Sequence, residues 1–146
     1  MSERQLSPRI AQWTVQALTR LFATFGLVQG VFIVIGGAGR WQAPGLAVAM
    51  LVPGAPATWG VAIGIIGAIA LYGTFRSMLR VTAYAMIAMG AWCLFFATSL
   101  ILVVIHNDRV ATTGVWTYLL ASITACTLSA AYLQSRSYQT ALRSVP

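Results

Sequence analysis

Four long stretches of the chain contain no charged residue and no histidine. They are residues 21–39, 41–75, 81–105 and 110–135. Each is long enough to cross a hydrocarbon core of ~30 Å as an α-helix, which takes roughly 20 residues. The pattern predicts an all-α integral membrane protein with four transmembrane helices in a single membrane domain, residues 1–146. The predicted spans are approximately residues 18–38, 57–75, 81–105 and 113–133.

The second uncharged stretch is interrupted by Pro53, Gly54 and Pro56. Proline removes a helical hydrogen bond and glycine weakens a helix, so a regular helix is not expected to pass through these residues. We expect the second crossing to begin at Ala57, and Trp41–Pro56 to form an apolar Pro/Gly hairpin between helices 1 and 2. A single long span kinked at the prolines is the alternative, and the sequence leaves open whether the hairpin is re-entrant.

The composition agrees with insertion into a membrane. Apolar residues make up 59% of the chain and charged residues 8%, whereas soluble domains average about 45–50% and about 25%. A net charge of +7 is also found in nucleic-acid-binding domains. Here, however, the arginines stand singly or in pairs at the ends of apolar stretches. We therefore expect contact with the lipid bilayer and no nucleic-acid partner.

The distribution of arginine predicts the orientation. The two tails and the link between helices 2 and 3 hold seven arginines, whereas the other side of the membrane holds Arg40 and Arg109. Positive residues near span ends favour the cytoplasmic side. The prediction is a multi-pass protein of the inner (cytoplasmic) membrane with cytoplasmic tails at residues 1–17 and 134–146. The predicted topology anchors are Arg4, Arg9, Arg20, Arg76, Arg80, Arg136 and Arg143.

Two of the predicted spans carry glycines at helical spacing. The first contains Gly26 and Gly30, and the second contains Gly60, Gly64 and Gly67. Faces of small residues allow helix backbones to approach closely in lipid. The sequence leaves open whether these glycines join helices of one chain or of two chains. If they join two chains, a bulky residue at Gly30 or Gly64 is expected to abolish assembly.

Gln29 lies in the middle of the first span, beside the glycine face. An amide in lipid is expected to find a hydrogen-bond partner on another helix, and the fourth span offers several hydroxyl groups. One interhelical hydrogen bond explains this pattern, and a polar pathway is the functional alternative. The candidate partners are Thr117, Ser122, Thr124, Thr127 and Ser129.

No pattern in the chain indicates catalysis. The uncharged stretches lack the charged groups that ion-coupled transporters and membrane-embedded hydrolases use. The densest polar cluster, residues 106–109, comes with no nucleophile motif and is expected to be a solvated turn. Cys93 and Cys126 are expected to pack as small apolar residues. We predict a non-enzymatic protein with no cofactor and no metal.

Tryptophan and tyrosine residues occur near the ends of the predicted spans. Such aromatic belts position a protein at the two membrane interfaces and imply no ligand. The expected belt residues are Trp41, Trp59, Trp116 and Tyr118 at one interface, and Trp13, Tyr72 and Tyr132 at the other.

A family resemblance rests on two short segments, which are residues 40–45 (RWQAPG) and residues 52–60 (VPGAPATWG). They resemble small four-pass membrane proteins encoded by actinobacteria and their phages. The resemblance implies a holin-like permeabiliser or a protein that modifies the host envelope. It transfers no site residue to this chain.

The leading hypothesis is a small non-enzymatic inner-membrane protein that self-associates or binds partner membrane proteins, with the holin-like role as its most specific form. The alternative is a channel or facilitator for a small neutral solute or a lipid, lined by Gln29 and the hydroxyl groups of the fourth span. A third hypothesis is an accessory subunit of a larger membrane complex.

Overall fold

The computed structural model describes residues 3–37, 48–106 and 113–143, and the side chains of residues 12–37, 48–105 and 113–134. A short 3-10 helix, Ala49–Leu51, precedes the second α-helix. These ranges contain no β-strand. The α-helices are α1 (Glu3–Gly36), α2 (Ala57–Phe75), α3 (Leu79–His106) and α4 (Thr113–Arg143).

Each α-helix contains a segment long and apolar enough to cross a membrane. This confirms the predicted all-α class with four candidate membrane-spanning helices. The first helix begins before its segment and the last one ends after its segment. The extensions are rich in Ala, Leu, Gln and Arg, which favour a helical backbone. The membrane-crossing segments are Gln12–Gly36, Ala57–Phe75, Leu79–Ile105 and Thr113–Gln134.

The helices pack as two antiparallel pairs. α1 packs on α2, α3 packs on α4, and contacts between α2 and α3 join the two pairs. α1 and α4 have few contacts with each other, so the bundle is open along one side. The tight turn between α2 and α3 lies at the same end of the bundle as the beginning of α1 and the end of α4. We call this end the turn end.

Glycines set the distance between α1 and α2. A methyl group at Gly30 would lie 2.6 Å from the carbonyl oxygen of Gly60, and one at Gly67 would lie 2.6 Å from that of Ala23. No side chain fits at such distances from a neighbouring backbone. Because lipid provides no hydrophobic force between helices, this close van der Waals packing is a principal attraction between α1 and α2.

The turn from α2 to α3 brings the adjoining ends of these helices together. The N–H of Met78 donates to the carbonyl of Gly73 at 2.8 Å, and Ser77 has a left-handed φ of 54°. A methyl group at Gly73 would lie 2.6 Å from Oγ1 of Thr82. The end of α2 therefore touches the first turns of α3.

An aromatic cluster joins α2, α3 and α4. Its centre is Phe96, which is completely buried. The ring centroid of Phe96 lies 4.3 Å from that of Trp92, 5.4 Å from that of Trp59 and 5.6 Å from that of Tyr118. Contacts of this kind contribute beyond simple burial because ring edges and faces carry opposite partial charges.

Three of the aromatic residues expected in the interfacial belt turn toward the inside of the bundle. Trp59 is only partly exposed, and its Nε1–H donates to the carbonyl of Ala49 at 2.7 Å. Tyr118 is partly buried and Tyr132 is buried. Aromatic rings with one polar atom can occupy an interface or fill a core, and these three turn inward. Trp41 lies outside the described residues, and the exposed belt residues are Trp13, Tyr72 and Trp116.

The structure describes the predicted hairpin only from Val48 onward, and its earlier residues lie outside the described ranges. The described part consists of the 3-10 helix and the turns that lead to Pro56. Oγ1 of Thr58 donates to the carbonyl of Pro53 at 3.1 Å, which ties the turn to the first residues of α2. The second helix begins at Ala57, directly after the last proline.

Candidate binding cleft between α1 and α4

The open side of the bundle contains a cleft of about 630 Å³. α1 and α4 form its walls, and Met89, Trp92 and Cys93 of α3 form its floor. Leu21 and Leu120 line the cleft and are largely exposed, so the cleft is open beside them. Because these segments span the membrane, the cleft opens sideways toward the bilayer.

Helix pairing and small residues account for the cleft. Glycine contacts hold α1 against α2. Ser122 holds α4 against α3, because its hydroxyl donates to the carbonyl of Gly90 at 2.9 Å. The two walls are therefore each attached to a different neighbour. Gly26, Gly114 and Ala121 line the space between them and fill little of it.

Three polar residues singled out by the sequence lie in this cleft: Gln29, Thr117 and Thr124. The threonine hydroxyls donate to the carbonyls of Thr113 at 2.9 Å and Leu120 at 2.8 Å. They therefore present only acceptor lone pairs to a ligand. No side-chain hydrogen bond joins Gln29 to another described residue, so its side-chain amide is the donor that the α1 wall can offer.

The remaining polar candidates of α4 lie elsewhere. Ser122 and Ser129 are buried, and Oγ of Ser129 has no hydrogen-bond partner among the described groups. Thr127 is exposed and donates to the carbonyl of Ile123 at 2.9 Å. The hydroxyl residues of α4 therefore do not form one continuous polar face.

Trp92 is the cleft residue that the sequence patterns did not single out. It is 8% exposed, and its Nε1–H is buried with no hydrogen-bond partner among the described groups. The position of Trp92 is an unusual feature of the sequence, because tryptophan usually lies near the membrane interface and Trp92 lies in the middle of a span. The predicted belt included only aromatic residues near the span ends.

Four of the predicted packing glycines, Gly30, Gly60, Gly64 and Gly67, lie where α1 meets α2 within one chain, and Gly26 faces Met89 of α3. Gly64 differs from Gly30, Gly60 and Gly67, because a methyl group there would contact only Cα of Gly30, at 3.9 Å. On the outer side of this contact is a shallow apolar groove of about 400 Å³, and Gly30, Gly60 and Gly64 line it. We call it the outer groove.

The predicted topology anchors gather at the turn end. Arg20, Arg76 and Arg80 are exposed there, and the Arg20 guanidinium lies 5.1 Å from the ring centre of Phe75. The other anchors belong to the extensions of α1 and α4, and their side chains lie outside the described residues. They are Arg4, Arg9, Arg136 and Arg143.

Metal-binding geometry is absent from the part of the chain that the structure describes, where no three His, Cys, Asp or Glu side chains are grouped. The predicted polar turn at residues 106–109 has no described side chain. In comparisons with known proteins, the chain matches no family model, no curated protein and no solved structure. The functional proposal therefore rests on the cleft.

Proposed function

We propose that this multi-pass membrane protein binds a lipid-like molecule in the cleft between α1 and α4. The supporting observation is the cleft itself, which measures about 630 Å³ and has predominantly apolar walls. Sites for small ligands commonly measure roughly 300–1,000 Å³. Because the opening faces the bilayer, a molecule dissolved in the membrane enters without crossing water.

The polar atoms of the cleft favour a ligand with a hydrogen-bond acceptor. Gln29 lines the α1 wall, and its amide can donate to a ligand. The Trp92 indole borders the floor of the cleft, but its Nε1–H is buried and does not face the open space. A carbonyl on an apolar body matches an amide donor in an apolar cleft, so the proposed class is a carbonyl-bearing lipid, such as an ester lipid or a quinone.

A lateral binding site corresponds to a lipid facilitator rather than to a water-filled pore. A pore for a neutral solute needs polar groups spaced along the bundle axis. In this chain, the hydroxyls of Thr117 and Thr124 line the cleft, whereas those of Ser122, Thr127 and Ser129 do not. The arrangement therefore favours a lipid held from the side.

The test fills the cleft without changing its charge. Ala121→Phe places a ring in the cleft, and Ala91→Phe places the same ring on an exposed position of α3 that does not line the cleft. The protein is reconstituted with a phospholipid that carries a photoreactive acyl chain, and crosslinked peptides are mapped. We expect crosslinks at Met89 and Cys93 that fall about tenfold in the first variant and are unchanged in the second.

Each contrary result is informative. Crosslinks confined to the outer faces of the helices, or equal labelling of Met89 in both variants, would contradict ligand binding in the cleft. Gln29→Leu provides a milder second variant, since it keeps the volume and removes the amide. It is expected to reduce labelling by a carbonyl-bearing probe and to leave labelling by a plain alkyl probe unchanged.

The outer groove supports a second candidate, self-association of two copies. Gly64 in this groove is partly exposed, whereas Gly30 and Gly60 are buried in the contact between α1 and α2. A partly exposed glycine lets a further helix approach closely. A groove of this kind fits the same surface of a second copy through a twofold axis. The holin-like role implied by the family resemblance requires such assembly.

Ala68→Leu tests self-association directly. Ala68 is exposed and lines the outer groove, whereas Ala91 is exposed on α3 and does not. We expect Ala68→Leu to reduce energy transfer between labelled copies in liposomes about tenfold and Ala91→Leu to leave it unchanged. The functional measurement is the membrane potential of bacteria that express the protein or either variant. Equal association of both variants would refute the groove as an interface.

A further inference from the structure

A second cavity, of about 290 Å³, lies at the turn end of the bundle. In contrast to the cleft, its lining is mainly polar and comes from α1, the α2–α3 turn and α4. It lies at membrane-boundary depth, because α1 and α3 begin their membrane-crossing segments there and α2 ends its segment there. The polar lining residues are Gln12, Gln16, Thr74, Ser77, Thr82 and Tyr132.

Apart from Tyr132, the hydrogen-bond donors of the cavity come from three side chains. Thr74 and Thr82 are buried, and their hydroxyls donate to the carbonyls of Leu71 at 2.7 Å and Met78 at 3.2 Å. These two residues therefore present only acceptor lone pairs to a ligand. The donors come from the hydroxyl of Ser77 and from two glutamine amides on one face of α1, at residues 12 and 16.

Two exposed arginines are sequence neighbours of residues that line this cavity, and no acidic side chain is described that could balance their charge. Arg76 precedes Ser77, Arg80 follows the lining residue Leu79, and both arginines are exposed. Arg20 adds a third guanidinium over the neighbouring ring of Phe75. The described side chains include no Asp or Glu, and the whole chain has two acids against nine arginines. The balancing negative charge must come from outside the protein.

We propose that the turn-end cavity binds the phosphate ester of a hydroxylated headgroup, as in an anionic glycerophospholipid. The Arg76 and Arg80 guanidiniums hold the phosphate. The hydroxyl groups of the headgroup enter the cavity, where they donate to Thr74 and Thr82 and accept from the glutamine amides. Headgroup-level arginines attract anionic lipids in general. The cavity adds selection for a headgroup with hydroxyl groups, and it does not depend on the cleft.

The test measures lipid binding to the full chain in detergent by native mass spectrometry. The probes are phosphatidylglycerol, phosphatidylcholine and phosphatidic acid, which has the phosphate but no further hydroxyl groups. Arg76→Gln/Arg80→Gln is compared with Arg4→Gln/Arg143→Gln, which loses the same charge in the helical extensions. We expect the first double variant to weaken phosphatidylglycerol binding about tenfold to thirtyfold, and the second to change it less than about threefold.

Gln16→Leu distinguishes binding in the cavity from attraction of the lipid by surface charge alone. It keeps every arginine, so we expect weaker binding of phosphatidylglycerol and unchanged binding of phosphatidic acid. Equal loss in the two double variants, or no effect of Gln16→Leu, would overturn the proposal. Competition by glycerol 3-phosphate at comparable concentration would identify a soluble phosphate ester as the ligand, whereas no competition identifies the lipid. Ala121→Phe, which blocks the cleft, is expected to leave all of these affinities unchanged.

Discussion

Replacing Gly30 with leucine is expected to destabilise the protein by at least about 3 kcal/mol, because it forces α1 away from α2. A methyl group at this position would lie 2.6 Å from the carbonyl oxygen of Gly60 and 2.7 Å from the backbone nitrogen of Gly64. Both atoms belong to a helix backbone, which cannot move aside as a flexible side chain can. The pair must separate, and the close van der Waals contact along its length is lost.

Gly64→Ala is the control for this prediction, and Gly30→Ala is measured beside it so that the two positions carry the same side chain. Gly64 lies on the same contact, but a methyl group there would meet only Cα of Gly30 at the ordinary distance of 3.9 Å. We expect a change in stability of less than about 1 kcal/mol, since alanine also favours the helix. Unfolding of all three variants is followed in mixed micelles with increasing denaturing detergent. Similar stabilities for Gly30→Leu and Gly64→Ala would show that α1 and α2 do not pack in this way.

Phe96→Ala is expected to lower the free energy of unfolding by about 3 kcal/mol. Phe96 is 0% exposed, and its ring contacts aromatic residues of three helices. Phenylalanine-to-alanine changes in soluble cores cost about 3–5 kcal/mol, part of which reflects transfer from water. In a bilayer the separated helices are still surrounded by lipid, so the lost contacts and the cavity dominate. The lower end of the range is therefore expected.

The neighbouring residue provides the control. Phe95 is 38% exposed and stacks on Trp59 at 4.7 Å, so lipid can occupy most of the space that its removal leaves. Phe95→Ala is expected to cost about 1 kcal/mol or less. The measurement is the unfolding curve in micelles, with intrinsic fluorescence reporting on Trp59 and Trp92. Equal destabilisation by the two substitutions would argue against Phe96 as the centre of the core.

Phe96→Ala and the control Gly64→Ala bear on the function as well as on the fold. Trp92 packs on Phe96 and also lines the cleft, so loss of Phe96 is expected to loosen the floor of the proposed lipid site. Gly64, by contrast, lies in the outer groove. A folded Gly64 variant with altered association would therefore report on contacts between copies and not on the packing of one chain.

Much of the architecture could be predicted because a bilayer leaves few choices. Backbone polar groups in lipid must be hydrogen-bonded within the protein, so a long uncharged stretch forms a helix. The prolines before Ala57 predicted the beginning of the second helix for an equally local reason, since proline cannot donate a helical hydrogen bond. Neither inference required knowledge of distant contacts.

The glycine pattern predicted close packing but left the partner open. Gly30 faces Gly60 and Gly64 of α2 in the same chain, whereas Gly26 faces Met89 of α3. Bulky replacement of Gly30 therefore tests the fold before it tests assembly. The face of a helix on which a glycine lies follows from its position in the sequence. The surface that meets this face depends on how four helices are arranged together.

For the candidate sites, too, some features follow from the sequence and others depend on the tertiary structure. The number of crossings, the helix that carries each polar residue and the excess of arginine over acid depend on composition and local spacing, which the sequence contains in full. The tertiary structure decided that Gln29, Thr117 and Trp92 share one cleft, and that the rings of Trp59 and Tyr118 pack against Phe96 inside the bundle. These residues belong to different helices, and only the matching of helix shapes over long sequence separations brings them together.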